Sequence, residues 1–402
     1  MVKCLILAAG EGKRIHPLTF TRPKVMLPIA NKPIIEWNLL NAINAGLKEF
    51  VFVVAYKSEM VRNYFGNGEK YKVKIEYVNQ GEPKGTAHAI GVVEKFVDDF
   101  IVLCGDTIFG ENDIKNILNT KKSIGLYKLD NPNEYGIVET KNDKVVKIYE
   151  KMDKPFTDII NAGIYHFDKK VFDFIKKTSK SSRGEYEITD TINIMAEKSD
   201  VSSVMLEEWR DVVYPWHLLD ANEEVLKKLD KKIEGTIEKN ATIKGKVVIG
   251  KNTIVMNGSY IEGPVAIGEN CKIGPNCYIR PYTSIGDGCH IGNACEVKNS
   301  IIFDSSNIPH QNYVGDSIIG SGCNFGAGTK VANLRLDKNN IIVTLNGKKI
   351  DSKRRKLGVI MGDNVQTGIN SMINIGSFIG NNVSIGPGAT VKGVIEPDSK
   401  VM

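Results

Sequence analysis

The sequence lacks the features that would commit it to a membrane, to a secreted disulfide scaffold or to nucleic acid. Its 402 residues contain no apolar run approaching the roughly 18 residues of a membrane-spanning helix, and no signal-peptide architecture. A soluble, cytoplasmic protein with no membrane partner is therefore expected. The seven cysteines form no C-x-x-C pair and no Cys/His cluster with metal-ligand spacing, which argues against a zinc module. Five of them, Cys271, Cys277, Cys289, Cys295 and Cys323, fall in one slot of a repeat and read as small apolar residues kept in a reducing compartment. The formal net charge of +6 is mild, and no dense basic block is interleaved with aromatics. Anionic small substrates fit this balance better than nucleic acid does.

What is present starts at Leu5–Pro28, LILAAGEGKRIHPLTFTRPKVMLP. The apolar run from Val2 to Ala9 reads as a buried parallel strand. Gly10 and Gly12 follow at once, where a chain leaving a strand can bring its amides close to a ligand. Lys13, Arg14 and Lys24 add three cations. Ammonium and guanidinium groups beside a glycine turn suit a triphosphate, neutralising it while backbone N–H groups hold its oxygens. The spacing G-x-G-x-R matches neither the dinucleotide fingerprint nor the Walker loop. Glycine loops are also ordinary turns, so the segment carries weight only as a whole string.

Downstream, helical and strand periodicities alternate. Pro33–Gly46 reads as a helix, Phe50–Ala55 as a strand, Ser58–Phe65 as a helix and Lys74–Val78 as a strand. Such alternation predicts an open, largely parallel α/β sheet with ligands at the strand C-termini. Gln80–Ala87, QGEPKGTA, then lies where a second loop should meet the first. It reads either as a solvated turn with a helix start or as a loop presenting the Gln80 amide to a nucleobase. Asp106 follows Gly105 at the end of the strand Phe100–Cys104. It is either a helix N-cap or a carboxylate facing the ligand crevice. From Ser123 to Ile148 short strands alternate, and Trp216–Lys232 reads as a polar helix ending near a boundary at Ile233.

The string G-x-G-x-R-x-x-P-L-T, then R-P-K, then Pro28, resembles the signature of sugar-1-phosphate nucleotidylyltransferases. The resemblance implies a Rossmann-like nucleotidyltransferase fold over residues 1–232, with Arg14 and Lys24 acting on the phosphates of an NTP (UTP or dTTP) and Gly10 and Gly12 binding it. It assigns base contact to Gln80, Gly85 and Thr86. Tyr135–Gly136, Tyr149–Lys151 and Asn161–Gly163 resemble the family's sugar-binding segments, which carries Gly136, Glu150, Lys151 and Asn161 over as sugar contacts. Asp106 and Asp211 fall on the positions that bind Mg²⁺, an ion that prefers oxygen ligands and phosphate. The usual W-x-D-x-G reads here W-R-D-V-V, with Val213 in place of glycine. Glu185 and Asp190 match another family segment, with surface or cap duty an equal alternative.

From Ile237 aliphatic residues recur every six positions, through Ile243, Ile249, Val255, Ile261, Ile267, Ile273, Ile279, Ile285 and Ile291 to Val297. Four residues after each comes a small or apolar one. A period of six is neither helix nor ordinary strand; it is the hexapeptide repeat of a parallel β-helix, expected over residues 233–402. The period slips after Val297, resumes at Ile319, breaks from Leu334 to Leu357 and returns at Met361. Function is expected at those interruptions, because the coils are scaffold. They carry P-H-Q-N-Y (Pro309–Tyr313), N-F-G-A-G-T (Asn324–Thr329) and Ala332-Asn333.

This second set resembles the acetyltransferase half of bifunctional enzymes that make UDP-N-acetylglucosamine, and more closely archaeal proteins joining a nucleotidylyltransferase to an amino-sugar-1-phosphate acetyltransferase. By that resemblance the β-helix is left-handed and forms a homotrimer, acetyl-CoA is co-substrate, and His310 is the general base. Asn333 and Asn324 position the amine and the transition state, Tyr313 contacts substrate, and Arg280 and Lys298 bind phosphate. The lysine expected six residues past Asn333 is Asn339, with Lys338 beside it. The run Lys353–Lys356 is either a solvated loop face or a contact for the phosphates of acetyl-CoA. Two competing readings are a catalytically silent scaffold and a single-activity pyrophosphorylase with a structural β-helix. The first leaves Gly10, Gly12, Arg14, Lys24 and Asp106 unexplained, and the second leaves His310, Tyr313 and Asn333 unexplained.

Overall fold

The computed structural model describes residues 2–345 and 347–402. By compactness the chain falls into two units, one of Met1–Glu11, Pro23–Met26 and Ile34–Asp211, the other of Gly12–Arg22, Leu27–Pro33 and Val212–Met402.

The first unit is built on a nine-stranded sheet. Lys3–Ala8 lies between Glu49–Val54 and Asp99–Cys104, parallel to both. These are the apolar runs read from the sequence, and both faces of the strand are buried. Cys4, Ile6 and Ala8 join one core layer and Leu5 joins the other. Beyond Asp99–Cys104 the sheet changes character, because Ile159–Asp168 runs antiparallel to it and to Ser123–Lys128. The parallel half therefore ends its strands on one edge, where Ala9–Gly10 and Gly105–Asp106 leave the sheet side by side. The amide of Gly105 donates to the carbonyl of Leu7 at 2.9 Å.

The second unit is a parallel β-helix with three faces, of nine, nine and eight strands. Its axis is filled by the aliphatic series of the repeat, with Ile261, Ile273, Ile279, Ile285 and Ile291 fully buried. Each contributes roughly 1.5–3 kcal/mol of apolar burial. The small slot has a second purpose. The thiols of Cys271, Cys289, Cys295 and Cys323 donate to carbonyls on the adjoining coil, at 3.1, 3.2, 3.1 and 3.2 Å.

The slip in the repeat is a shortening of the coil. Ile267 stacks on Ile285, but Ile285 stacks on Ile302, Ile291 on Ile308 and Val297 on Val314, one residue less per turn. Ile302, Ile308 and Val314 thus continue the core where the strict count of six loses it. The break at Leu334–Leu357 is an excursion containing the hairpin Ile342–Leu345 and Lys348–Asp351.

The helix His217–Lys228 corrects the expectation of a polar one. Leu218, Leu219, Ala221, Asn222, Val225 and Leu226 are buried, so the charged residues occupy only its outer face. Asn222, fully buried, accepts the Ala30 N–H and the Ser284 hydroxyl and donates to the Tyr282 carbonyl. No described helix is long and apolar enough to cross a membrane.

Burial pushes the coil thiols up, Cys271 and Cys277 to about 11 and Cys323 to about 12. At pH 8 they are therefore protonated and enclosed, and the thiolate is the reactive species. A disulfide reagent should leave these three unlabelled in the folded protein and titrate all seven thiols in denaturant. Rapid labelling of the native coils would contradict this packing.

Candidate active sites

In the first unit the candidate site is a cleft of about 240 Å³ at the C-terminal edge of the parallel strands, walled by Gly10, Lys24, Gln80, Gly85, Thr86, Asp106 and Glu185. The strand ends place these residues. Asp106 follows the strand Asp99–Cys104, and Asp211 closes the strand Trp209–Asp211, whose residues pair antiparallel with Thr107–Phe109. This two-stranded ribbon holds the carboxylates together, with the ammonium of Lys24 between them at 2.6 Å from Asp106 and 3.9 Å from Asp211. Val213 does not take a positive φ, so the missing glycine leaves the segment unstrained. A cation already stands where the two carboxylates converge, so the pair could offer a divalent ion the oxygen ligands it prefers.

The Gln80–Ala87 loop is shaped by close backbone approach. Gly85 has φ +106°, and a Cβ there would lie 2.4 Å from the Tyr186 carbonyl oxygen. The amide of Gln80 donates to the Gly85 carbonyl at 3.2 Å, and the Thr86 hydroxyl accepts the N–H of Ile188 at 2.9 Å. The predicted sugar contacts also gather. Gly136 pairs with Glu150 across two strands, and the Asn161 side chain packs beside Gly136. Asn161 is oriented by donating to the Tyr165 hydroxyl at 2.8 Å. Glu150 accepts from Thr189 at 2.7 Å and from Arg183 at 3.1 Å. Lys151 faces Glu134 at 3.9 Å.

Of the two alternatives left open for Glu185, a family segment or surface and cap duty, its place on the cleft wall fits the first. One further residue was not a candidate. Tyr135 donates to Asp211, and burial followed by that carboxylate drives its phenol far up, so it is a neutral donor. Only its place beside Gly136 could have marked it.

Gly12 and Arg14 belong to the second unit, on the segment Gly12–Arg22. Gly12 has φ +77° and starts a short turn of 3-10 helix, Lys13–Ile15. The hydroxyl of Thr19, the buried threonine of P-L-T, closes this loop on the Gly12 carbonyl at 2.9 Å.

The other candidate site lies on the β-helix. Lys298 stacks on Gly315 along one face, and Arg280 precedes Lys298 in the same column of coils. Asn333 donates to Asp316 at 2.6 Å and to the Tyr313 hydroxyl at 3.2 Å, and Lys298 contacts Asp316 at 3.0 Å. Asp316, almost fully buried, is thus the hub that joins Lys298, Tyr313 and Asn333, and nothing in the repeat had singled it out. Gly315 gives these groups room, since a Cβ there would meet the Asn333 amide at 2.6 Å and the Tyr313 hydroxyl at 2.7 Å. A cleft of about 400 Å³ opens beside Tyr313, Lys330, Asn333, Met372 and Asn374.

His310 ends the strand Asn307–His310 on the neighbouring face, exposed, and Asn324 stacks under Asn307 on the next coil. Arg280 is held by Glu296 at 2.7 Å. Asn339, at the expected lysine position, is tied to Asp337. Within Lys353–Lys356, Arg354 pairs with Asp220, while Lys353, Arg355 and Lys356 are exposed.

The Nucleotidyl transferase family matches residues 3–228, and the GMPPB C-terminal domain matches residues 261–395. A Methanocaldococcus jannaschii protein named bifunctional protein GlmU is 42% identical over 99% of this chain and 96% of its own length. A Sulfurisphaera tokodaii bifunctional sugar-1-phosphate nucleotidylyltransferase/acetyltransferase is 43% identical over 97% of both chains. Among solved structures, a putative glucose-1-phosphate thymidylyltransferase from Bacillus anthracis is 28% identical with a TM-score of 0.53, covering 58% of this chain and 98% of its own.

Burial, then Glu150, raises the carboxyl of Asp190 above its ordinary value. A carboxyl whose folded value is raised contributes most stability at low pH and loses it as pH rises through the folded value. Asp190→Asn should therefore raise the melting temperature at pH 7. The gain should shrink as the pH is lowered toward the ordinary carboxylate range. A loss of stability at pH 7 would contradict this assignment.

Proposed function

We propose how this chain, which belongs to the nucleotidyl transferase family and within it to the bifunctional sugar-1-phosphate nucleotidylyltransferase/acetyltransferases, divides its two reactions. Residues 1–232 transfer a nucleotidyl group from UTP or dTTP to a sugar-1-phosphate. Residues 233–402 acetylate an amino-sugar-1-phosphate, glucosamine-1-phosphate or its galacto epimer, from acetyl-CoA. The observation that carries the first assignment is the convergence of Lys24, Asp106 and Asp211 in a cleft with Gly10, Gln80 and Gly85.

In nucleotidyl transfer a phosphate oxygen of the sugar-1-phosphate attacks the α-phosphorus in line. The bond from that phosphorus to the bridging oxygen breaks, and pyrophosphate leaves. The second ionisation of a phosphomonoester lies near ~6, so the nucleophile is already anionic and needs no base. Arg14 and Lys24 balance the phosphate charge, and preorganised cations of this kind act most strongly where charge accumulates. Gly10 and Gly12 offer amides to the phosphates, while Gln80, Gly85 and Thr86 bind the base. Gly136, Glu150, Lys151 and Asn161 hold the sugar. Asp106 and Asp211 would hold Mg²⁺, which when bound neutralises the phosphate oxygens.

In acetyl transfer the substrate ammonium must first lose a proton, and His310 is the titratable acceptor. The freed amine attacks the thioester carbonyl, the C–S bond breaks and CoA leaves as the thiol. Arg280 and Lys298 bind the sugar phosphate, Tyr313 contacts the sugar, and Asn324 and Asn333 orient the amine and the developing oxyanion. We assign the active form to a homotrimer. The fully exposed Leu336, three residues past Asn333, and the half-exposed Met372 on the wall of the second cleft support an apolar subunit contact.

Asp106→Asn should nearly abolish pyrophosphate release and leave CoA-thiol release unchanged in the same preparation. His310→Ala should do the reverse, lowering acetyl transfer on the order of 10²-fold or more, as loss of a general base does. Equal loss of both rates in either variant would refute two separate sites. A stable His310→Ala protein with normal acetyl transfer would remove the histidine from the reaction.

A further inference from the structure

Asp287, Asp304, Asp363 and Asn381 share one duty on the β-helix. One side-chain oxygen of each accepts a backbone N–H from the preceding coil, from Glu269, Asp287, Ser321 and Asp363 respectively. Asn381 shows that an amide oxygen suffices for this coil bond. At Asp363 the second carboxylate oxygen is engaged as well. It accepts the Thr21 hydroxyl at 2.7 Å and Arg22 Nη2 at 2.5 Å, with the carboxylate nearly buried. The Arg22 guanidinium also lies over the Phe303 ring, 5.0 Å from its centroid, and reaches the Ser321 hydroxyl at 3.4 Å.

Thr21 and Arg22 end the segment Gly12–Arg22, which carries Arg14, and Lys24 follows Arg22 by two residues. Ile15, Leu18 and Thr19 of the segment are buried, and His16, Pro17 and Phe20 border, with Phe378 and Val394, a cavity of about 420 Å³. The bonds to Asp363 hold the C-terminal end of the segment.

We infer that Asp363 is a positioning residue for nucleotidyl transfer. Its outer carboxylate oxygen clamps Thr21 and Arg22, and so fixes the stretch of backbone that delivers Arg14 and Lys24. The β-helix thereby supports the reaction of the other site, beyond its own acetyl transfer. This inference rests on Lys24 serving nucleotidyl transfer. Charge-assisted bonds to a buried carboxylate are the strong kind, so removing the charge loosens the end of the segment from which Lys24 follows.

Asp363→Asn is the direct test, because an amide keeps the coil bond to Ser321, as Asn381 does, and removes the charge that Arg22 meets. In the full-length protein kcat for pyrophosphate release should fall tenfold or more, while acetyl transfer stays within twofold. Arg22→Gln should give the same loss, and the double variant should fall no further, since the two substitutions break one interaction. Nucleotidyl transfer within twofold of the parent in Asp363→Asn would overturn the inference. So would additive losses in the double variant, or a parallel fall in acetyl transfer. Lys24→Ala separates the two levels. If that variant keeps full nucleotidyl transfer, the site assignment itself fails, whatever Asp363 does.

Discussion

Opposed charges held close together organise the cleft of the first unit, the proposed nucleotidyl-transfer site. Lys24 stands between Asp106 and Asp211, each delivered by the end of a strand, and the ribbon that pairs Asp211 with Thr107 keeps the carboxylates on one side of the cleft. A carboxylate pair alone would repel, and cations alone would favour the substrate without orienting it. Together they form a cleft whose cation could meet phosphate oxygens and whose carboxylates would offer the oxygen ligands a divalent ion prefers. The parallel sheet exists, in functional terms, to bring those strand ends to one edge.

The face proposed for acetyl transfer follows a different logic. Stacked coils repeat a position at each turn, so a column of side chains such as Arg280, Lys298 and the Gly315 gap arises from the repeat itself. Chemistry enters where the repeat is broken. The coil loses one residue between Val297 and Ile302, ahead of His310, and the Asn333 amide at the start of the excursion meets Asp316 and Tyr313. A buried carboxylate with Lys298 and Asn333 as partners is costly unless fully satisfied, and Asn299 supplies a further donor at 2.7 Å.

Much of the fold was legible because its signals are periodic. The apolar run at Lys3–Ala8 and the sixfold aliphatic count each report burial directly. The coils through Ile302, Ile308 and Val314 were not legible, since dropping one residue from a corner leaves the core intact and destroys only the count. Short strings such as G-x-G-x-R and H-x-x-Y stand out in the sequence as candidates. Asp316, Tyr135 and Asp363 do not, because each acts through a partner distant in sequence or through a bond that ordinary coil closure also makes. The outer face of His217–Lys228 hid its buried one, as charged residues dominate the count even when a helix packs along a full stripe.

The central claim is that two reactions of different electrostatic character reside on one chain. The most direct measurement is the divalent-ion dependence of both rates on one preparation, with pyrophosphate and CoA thiol followed in parallel. Stripping Mg²⁺ with a chelator should stop pyrophosphate release, since Asp106 and Asp211 then have no ion to present to the phosphates, while CoA-thiol release continues unchanged. Two rates that fall together on chelation, or pyrophosphate release that persists without the ion, would contradict it.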